Sequence, residues 1–405
     1  MFYSYDPKLK IVVVHTDFRI YWPARLSALT EYLNNNGVEL EIVEISGVGS
    51  PYEFFGQLTS RPSNWSCLFA SRRMEDISPA EANAALERKF DYLDPDIIFA
   101  GAIAFPSGAV ATRWAAERNR KVVIFDDARL QDIPRSCVVN FIKRKIYSSV
   151  NAIFCPSPAW ISTFNYYGFK NDQLFFGVDV VDNRYWQNSE KPDSKLLLSN
   201  RYFISVGRQI WKKNFIQLLR AYEQYARRVK NPKELVLVGE GPERNELETY
   251  LKTTRLTTVR LLPFQPQEAL RSLFHGAHSF VLPSRYGETW GLVVNEAMAS
   301  GLPIIVSNQV GCASTLVKEG VNGYTFSPDN VNELTYLLVK MDAIGTKERM
   351  EMGERSKEII NDWGLDRFCQ GAYDAIQFVS GSAAKKPGLI TKLILKFWKG
   401  RYRPV

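Results

Sequence analysis

Short apolar runs rich in Val, Ile and Phe alternate with longer stretches of helical periodicity along this chain, and the whole alternation occurs twice. The first series of runs is Ile11 to Val14, Leu40 to Ile45, Ile97 to Ala100, Val122 to Phe125 and Ala152 to Cys155. The second is Phe203 to Val206, Leu235 to Val238, Val259 to Leu262, Ser279 to Leu282 and Ile304 to Val306. Consecutive parallel strands need a connection long enough to hold a helix, so this alternation predicts α/β layers with parallel sheets. At roughly 100–200 residues per domain, 405 residues suit two such units. Expected boundaries are 1–185 for the first and 186–364 for the second, with a polar connector near Asp182 to Asn200. A helix over 365–382 and a basic amphipathic tail over 383–405 follow.

Composition removes several classes. With 45% hydrophobic and 23% charged residues, the chain is neither disordered nor a small disulfide scaffold. Its five cysteines are scattered, with neither a CxxC pair nor histidines at ligand spacing, so no metal centre is expected and the chain reads as intracellular. No export signal is visible, and no run reaches the roughly 18 apolar residues of a membrane-spanning helix.

The net charge of +8 would suggest nucleic acid if it were evenly spread. It is not. Lys385, Lys386, Lys392, Lys396, Lys399, Arg401 and Arg403 carry +7 in a tail without acidic residues, leaving +1 for the rest. Between Gly388 and Gly400, Lys392, Lys396 and Lys399 share one helical face, and Leu389, Ile390, Leu393, Ile394 and Phe397 share another. Trp398 and Tyr402 suit a headgroup boundary. The pattern predicts contact of 385–403 with an anionic membrane surface, the alternative being an ordinary packing helix. A nucleic-acid arm is not expected, because the aromatic rings belong to the apolar stripe.

In open parallel sheets, ligands collect beyond the carboxyl ends of the strands. After Phe203 to Val206 come Gly207, Arg208, Trp211, Lys212 and Lys213 at a helix start, a cationic anion site. After Leu235 to Val238 comes Gly239-Glu240-Gly241-Pro242. After Leu282, a glycine-bearing turn runs from Ser284 into a helix, with Glu288 and Glu296 seven residues apart. Backbone N–H groups of Gly287, Thr289, Trp290, Gly291 and Leu292 would face a diphosphate. If Glu288 and Glu296 lie on one helix they stand about 12 Å apart, a reach suited to hydroxyls on either side of it. Taken one at a time, each glutamate also fits a plain helix-start or solvated role.

Asp94-Pro95-Asp96 has a metal-binding look, but it precedes its strand and sits at the wrong end of the sheet. Asp126 and Asp127 close Val122 to Phe125 at the correct end and could orient a hydroxyl or act as base. His15, Asp17, Arg19 and Arg129 are further strand-end candidates, and each fits equally a helix cap or a buried ion pair.

The S-R-Y-G-E-T-W-G-L-V-V-N-E-A-M-A-S-G-L-P-I-I run, the earlier V-G-R-Q-I-W-K-K-N and L-V-G-E-G-P, and the later Gly311 and Asn322-Gly323 resemble a retaining GT-B glycosyltransferase of family 4. The likeness is detailed over about Arg201 to Asp329. It implies two Rossmann-like domains facing across a cleft, with a C-terminal helix returning to the first domain. It also implies a nucleotide-sugar donor on the second domain and an acceptor on the first. Arg208 and Lys213 would then hold the diphosphate, Glu288 the donor sugar and Glu296 the ribose, with no cofactor or metal required. The partners expected are a nucleotide sugar and a carbohydrate or lipid-linked acceptor, at a cytoplasmic site peripheral to the inner face of a membrane. The first domain departs from the family: Asp126 to Arg129 lacks a histidine, and His15 to Arg25 lacks a glycine pair. A non-catalytic nucleotide-sugar sensor is therefore the rival reading.

Overall fold

The computed structural model describes residues 9–49, 58, 60–132, 135–188 and 201–401. The expected connector from 189 to 200, and Tyr402 and Arg403 of the tail, lie outside the described residues. The chain divides into two compact units, Met1–Val180 with Leu365–Val405, and Val181–Gly364.

The first unit is built on seven strands: β1 (Lys10–His15), β2 (Glu39–Val48), β3 (Trp65–Arg73), β4 (Ile97–Ala100), β5 (Lys121–Phe125), β6 (Ala152–Cys155) and β7 (Leu174–Phe176). Their order is β3-β2-β1-β4-β5-β6-β7, all parallel, with Val12 opposite Glu41 on one side and Ile98 on the other. The central strands are unbroken apolar runs because helices cover both faces of such a sheet. Helices α1 (Trp22–Asn35), α2 (Pro79–Leu93), α3 (Pro106–Glu117), α4 (Cys137–Tyr147) and α5 (Ile161–Tyr167) do the covering. Ser78 and Glu81 close a capping box at the start of α2, which satisfies two otherwise orphaned amides. The strand order reverses between β1 and β4, which places the binding crevice of this unit beyond His15 and Ala100.

The second unit begins with α6 (Asn183–Gln187) and contains β8 (Phe203–Val206), α7 (Phe215–Arg228), β9 (Leu235–Val238), α8 (Arg244–Thr254), β10 (Val259–Leu262) and α9 (Gln267–Gly276). It continues with β11 (Ser279–Leu282), α10 (Leu292–Ala299), β12 (Ile304–Ser307), α11 (Ala313–Leu316), β13 (Gly323–Phe326), α12 (Val331–Ala343) and α13 (Thr346–Asn361). The order β10-β9-β8-β11-β12-β13 is again parallel and reverses between β8 and β11. Phe215, Leu219 and Tyr222 of α7 pack with Leu334 and Leu338 of α12 over this sheet.

Two helices then follow, α14 (Leu365–Gly381) and α15 (Leu389–Phe397). α14 packs on the first unit: Phe368 meets Phe154 of β6 at 5.4 Å and Trp22 of α1 at 6.2 Å. Gly371 lies so near β7 that an added Cβ would stand 2.4 Å from the Phe176 carbonyl oxygen. α15 packs against α4 and α3, and its buried residues are Thr391 and Leu395.

Candidate active site

At the reversal point of the second sheet, the loops beyond β8, β9, β11, β12 and β13 are tied together. Asn214, in the left-handed region at φ 61°, donates its amide to the carbonyls of Pro283 and Pro328 at 3.1 and 3.0 Å. The Arg285 N–H donates to the Lys212 carbonyl. The Gln209 side chain, fully buried, donates to the Gly239 carbonyl at 2.7 Å. Gly239, at φ 136°, admits this approach, since a Cβ there would stand 2.0 Å from the Gly207 carbonyl oxygen. Beyond β12, the N–H groups of Gly311 and Cys312 donate to the carbonyls of Glu288 and Trp290.

Of the expected donor-side residues, this scaffold brings Lys213 and Glu288 into contact. Lys213 Nζ donates to the Glu288 carboxylate, which also accepts from Ser284 Oγ at 3.1 Å. Burial would raise the Glu288 carboxyl, but Lys213, with Lys212 and Ser284, outweighs it and holds the pKa below the usual range. Arg208 is half-buried directly beyond β8. Gly287 and Gly291, at φ 69° and 100°, shape the turn around Glu288, Thr289 and Trp290, and the Trp290 indole donates to Asn295 of α10 at 2.9 Å.

The helix begins at Leu292, with Gly291 as its left-handed N-cap. Glu288 therefore lies in the turn, and its separation from Glu296 is not eight helical steps. Glycines and the carbonyl ties to Gly311 and Cys312 draw the chain out of helical geometry there. Glu296, within α10, is 3% exposed, so the solvated alternative for it is excluded. A pocket of about 450 Å³ opens beside these loops against Trp211, Arg285, Tyr286 and Gln309.

Several expected residues of the first unit turn inward. His15 ends β1, its ring 5.4 Å from Trp22, and burial pushes the imidazole down to about 4. Asp17 and Arg19 form a buried ion pair, the Arg19 Nε donating at 2.8 Å. Arg129 is buried in a pair with Asp132 at 2.8 Å. For these three the packing alternative describes the structure, because each charge finds its partner a few residues along. Asp126, 3% exposed, accepts from the Tyr147 hydroxyl and the Ala128 N–H, with Lys143 Nζ at 4.0 Å. It anchors α4 to the end of β5. Asp127 is half-buried beside it. Asp94 and Asp96 both accept from Arg120 at the amino end of β4. Among the described residues no group of three or more His, Cys, Asp or Glu could hold a metal ion.

One group was not legible in the sequence. Asp179, beyond β7, is pushed up to about 7 by burial and by the charge of Asp127, against the pull of Arg25 at 3.9 Å. Only the short strand β7 marks that position as a strand end.

Comparisons with known proteins bear on the fold and on the second unit. Residues 187–359 match the family model of glycosyl transferases group 1. An uncharacterised glycosyltransferase of Methanocaldococcus jannaschii is 33% identical over 34% of this chain and 34% of its own length. The chain spans about a third of that relative's length and about half the length of an uncharacterised glycosyltransferase of Haemophilus influenzae that is 30% identical over 45% of this chain. Among solved structures, a sucrose-phosphate synthase of Thermosynechococcus elongatus superposes with a TM-score of 0.74 at 16% identity, over 93% of this chain and all of that one. The Anabaena protein HepE, in complex with UDP and glucose, gives 0.69 at 16% identity over 91% of this chain and 99% of that one. With its two Rossmann-like parallel sheets, the chain has the fold of the GT-B glycosyltransferases, and its second unit matches the glycosyl transferases group 1 model over residues 187–359.

Proposed function

We propose that the chain is a retaining glycosyltransferase that moves a sugar from a nucleoside diphosphate sugar to a hydroxyl of a carbohydrate or lipid-linked acceptor. The observation that carries this reading is the Lys213–Glu288 pair, set between the loops beyond β8 and β11 where the strand order reverses. In this reading the sugar–phosphate bond breaks and the nucleoside diphosphate leaves with the electron pair. Arg208, Lys213 and the first amides of α10 face the charge that develops on it, so no metal is called for. Glu288 accepts from hydroxyls of the donor sugar and Glu296 from the ribose. The acceptor oxygen forms the new bond on the same face of the sugar. Asp126 and Asp127, which close β5 at its carboxyl end, are the candidates for taking its proton. A cytoplasmic site of action fits the free cysteines.

Calorimetric titration with UDP-, GDP- and ADP-sugars tests the donor half. One of them is expected to bind, with at least tenfold weaker binding in Arg208→Ala and in Glu296→Ala. Undiminished binding in both variants would remove the site. A non-catalytic nucleotide-sugar sensor has one observation in its favour, the engagement of Asp17, Arg19, Asp126 and Arg129 within the first unit. Turnover separates the two, since a sensor binds donor and releases no nucleotide with any acceptor.

A further inference from the structure

α15 lies the opposite way round from an ordinary packing helix. Its buried positions are Thr391 and Leu395, whereas Leu389, Ile390, Leu393 and Phe397 are 86%, 60%, 60% and 70% exposed. Lys392 and Lys396 are also exposed, beside this apolar stripe. The neighbouring helix α4 repeats the arrangement. Val138, Val139 and Phe141 stand in solvent over its first turns, and its sequence CVVNFIKRKIY contains no acidic residue. The described tail from Ala383 to Arg401 contains none either. Large exposed apolar groups beside a one-signed basic rim oppose each other for a partner in water: they favour a partner that is apolar within and anionic at its surface.

We infer that α4 and α15 together form a docking face for an anionic lipid bilayer. The apolar side chains enter the headgroup boundary, and Lys385, Lys386, Lys392, Lys396 and Arg144 meet the lipid phosphates. The tail runs along the first sheet from the amino end of β6, where the Asn151 amide donates to the Ala383 carbonyl, toward its carboxyl edge. α4 follows the loop beyond β5, and the segment after α15 is pinned beyond β4, where the Trp398 indole donates to the Ile103 carbonyl and the Arg401 N–H to that of Ala104. Trp398 is thereby an internal anchor and not the headgroup-boundary ring expected from the sequence. Docking would hold that sheet edge, and an acceptor bound there, against the membrane. The inference needs no donor chemistry and stands apart from the proposed function.

Full-length protein would be sedimented with vesicles of phosphatidylcholine containing about one-third phosphatidylglycerol, and with phosphatidylcholine alone. The inference expects strong recovery on the anionic vesicles and at least about a tenfold loss of partitioning in Leu393→Glu/Phe397→Glu, and likewise in Lys392→Glu/Lys396→Glu. Hydrogen exchange on the vesicles is expected to slow in peptides from both 137–141 and 389–397. Equal recovery of wild type and variants would overturn the proposal, and protection confined to 389–397 would overturn the two-helix face. So would a wild-type dimer in light scattering that Leu393→Glu/Phe397→Glu converts to monomer, because a second copy would then be the occupant. Donor titration of the same variants is expected to match wild type, so a failed donor site and a failed docking face give different results.

Discussion

Asp179 and His278 show how buried ionisable groups couple folding to pH with opposite signs. Asp179 has a folded pKa of about 7 against an ordinary 3.8. Below pH 4 it is protonated in both states and costs nothing. As pH rises from 4 to 7 the unfolded chain loses its proton first, so stability falls by up to about 1.4 kcal/mol per pH unit. Asp179→Asn is therefore expected to match wild type in melting temperature near pH 4 and to exceed it increasingly up to pH 8, as scanning calorimetry would read. A constant offset across that range would show that the carboxyl is not held neutral. His278, whose Nε2 lies 2.8 Å from the Met341 carbonyl oxygen, is pushed down to about 4 by burial. Above pH 6.5 it is neutral in both states; between 6.5 and 4 the unfolded chain takes up the proton and stability falls as pH falls. His278→Asn should flatten that descent even if it lowers stability overall, and an unchanged slope would count against the burial account. The places of Arg208, Lys213 and Glu288 beyond their strands were legible in the sequence because strand ends and helix starts are local patterns. Asp179 was not, because its partners Arg25 and Asp127 are distant in sequence.

At the scale of elements, the donor-side loops depend on close backbone approach. Gly311 has no special dihedral, yet a Cβ there would stand 1.7 Å from the Thr289 carbonyl oxygen, and backbone cannot yield as a flexible side chain can. Gly311→Ala is expected to lower stability by about 1–3 kcal/mol and to weaken donor binding by displacing the turn that carries Glu288. Gly320 is the contrasting case: it has φ 74° and open space around it, so Gly320→Ala should cost only about 1 kcal/mol of backbone strain. Urea titration with an unchanged m-value compares the two, and an equal loss in both would mean that the Gly311 contact carries no weight. The periodic helices were legible because their buried faces recur at helical spacing, as in α7 and α12. Others were hidden. α13 carries charges around most of its circumference, burying Met352, Gly353, Ser356 and Ile360; β7 and β13 have three and four residues; and β3 is an edge strand that ends in Ser71-Arg72-Arg73. A short or edge element takes its definition from its neighbours, and the local pattern does not contain them.

At the scale of the molecule, sequence neighbourhood and folding unit part company at Leu365. α14 follows the second unit along the chain, yet Phe368, Cys369, Ala372, Ile376 and Val379 belong to the same buried cluster as Ile11, Val13, Phe125 and Phe154. Phe368 is fully buried there. Removing its ring leaves a cavity between α1 and β6, at a cost of about 3–5 kcal/mol, and that cost falls on the first unit alone if each unit has its own core. Phe368→Ala is thus expected to speed amide exchange at least about a hundredfold in peptides covering β1 and β6, provided that those amides exchange through unfolding of their unit. Peptides covering β8, β9 and β11 should keep their wild-type rates. Leu338→Ala is the reciprocal change, since Leu338 is fully buried with Phe203, Leu235 and Val281 in the second core; it should speed exchange in β8, β9 and β11 and spare β1 and β6. If Phe368→Ala loosened β8 and β11 as much as β1, the two sheets would unfold as one cooperative body, and α14 could not be counted as part of the first core alone.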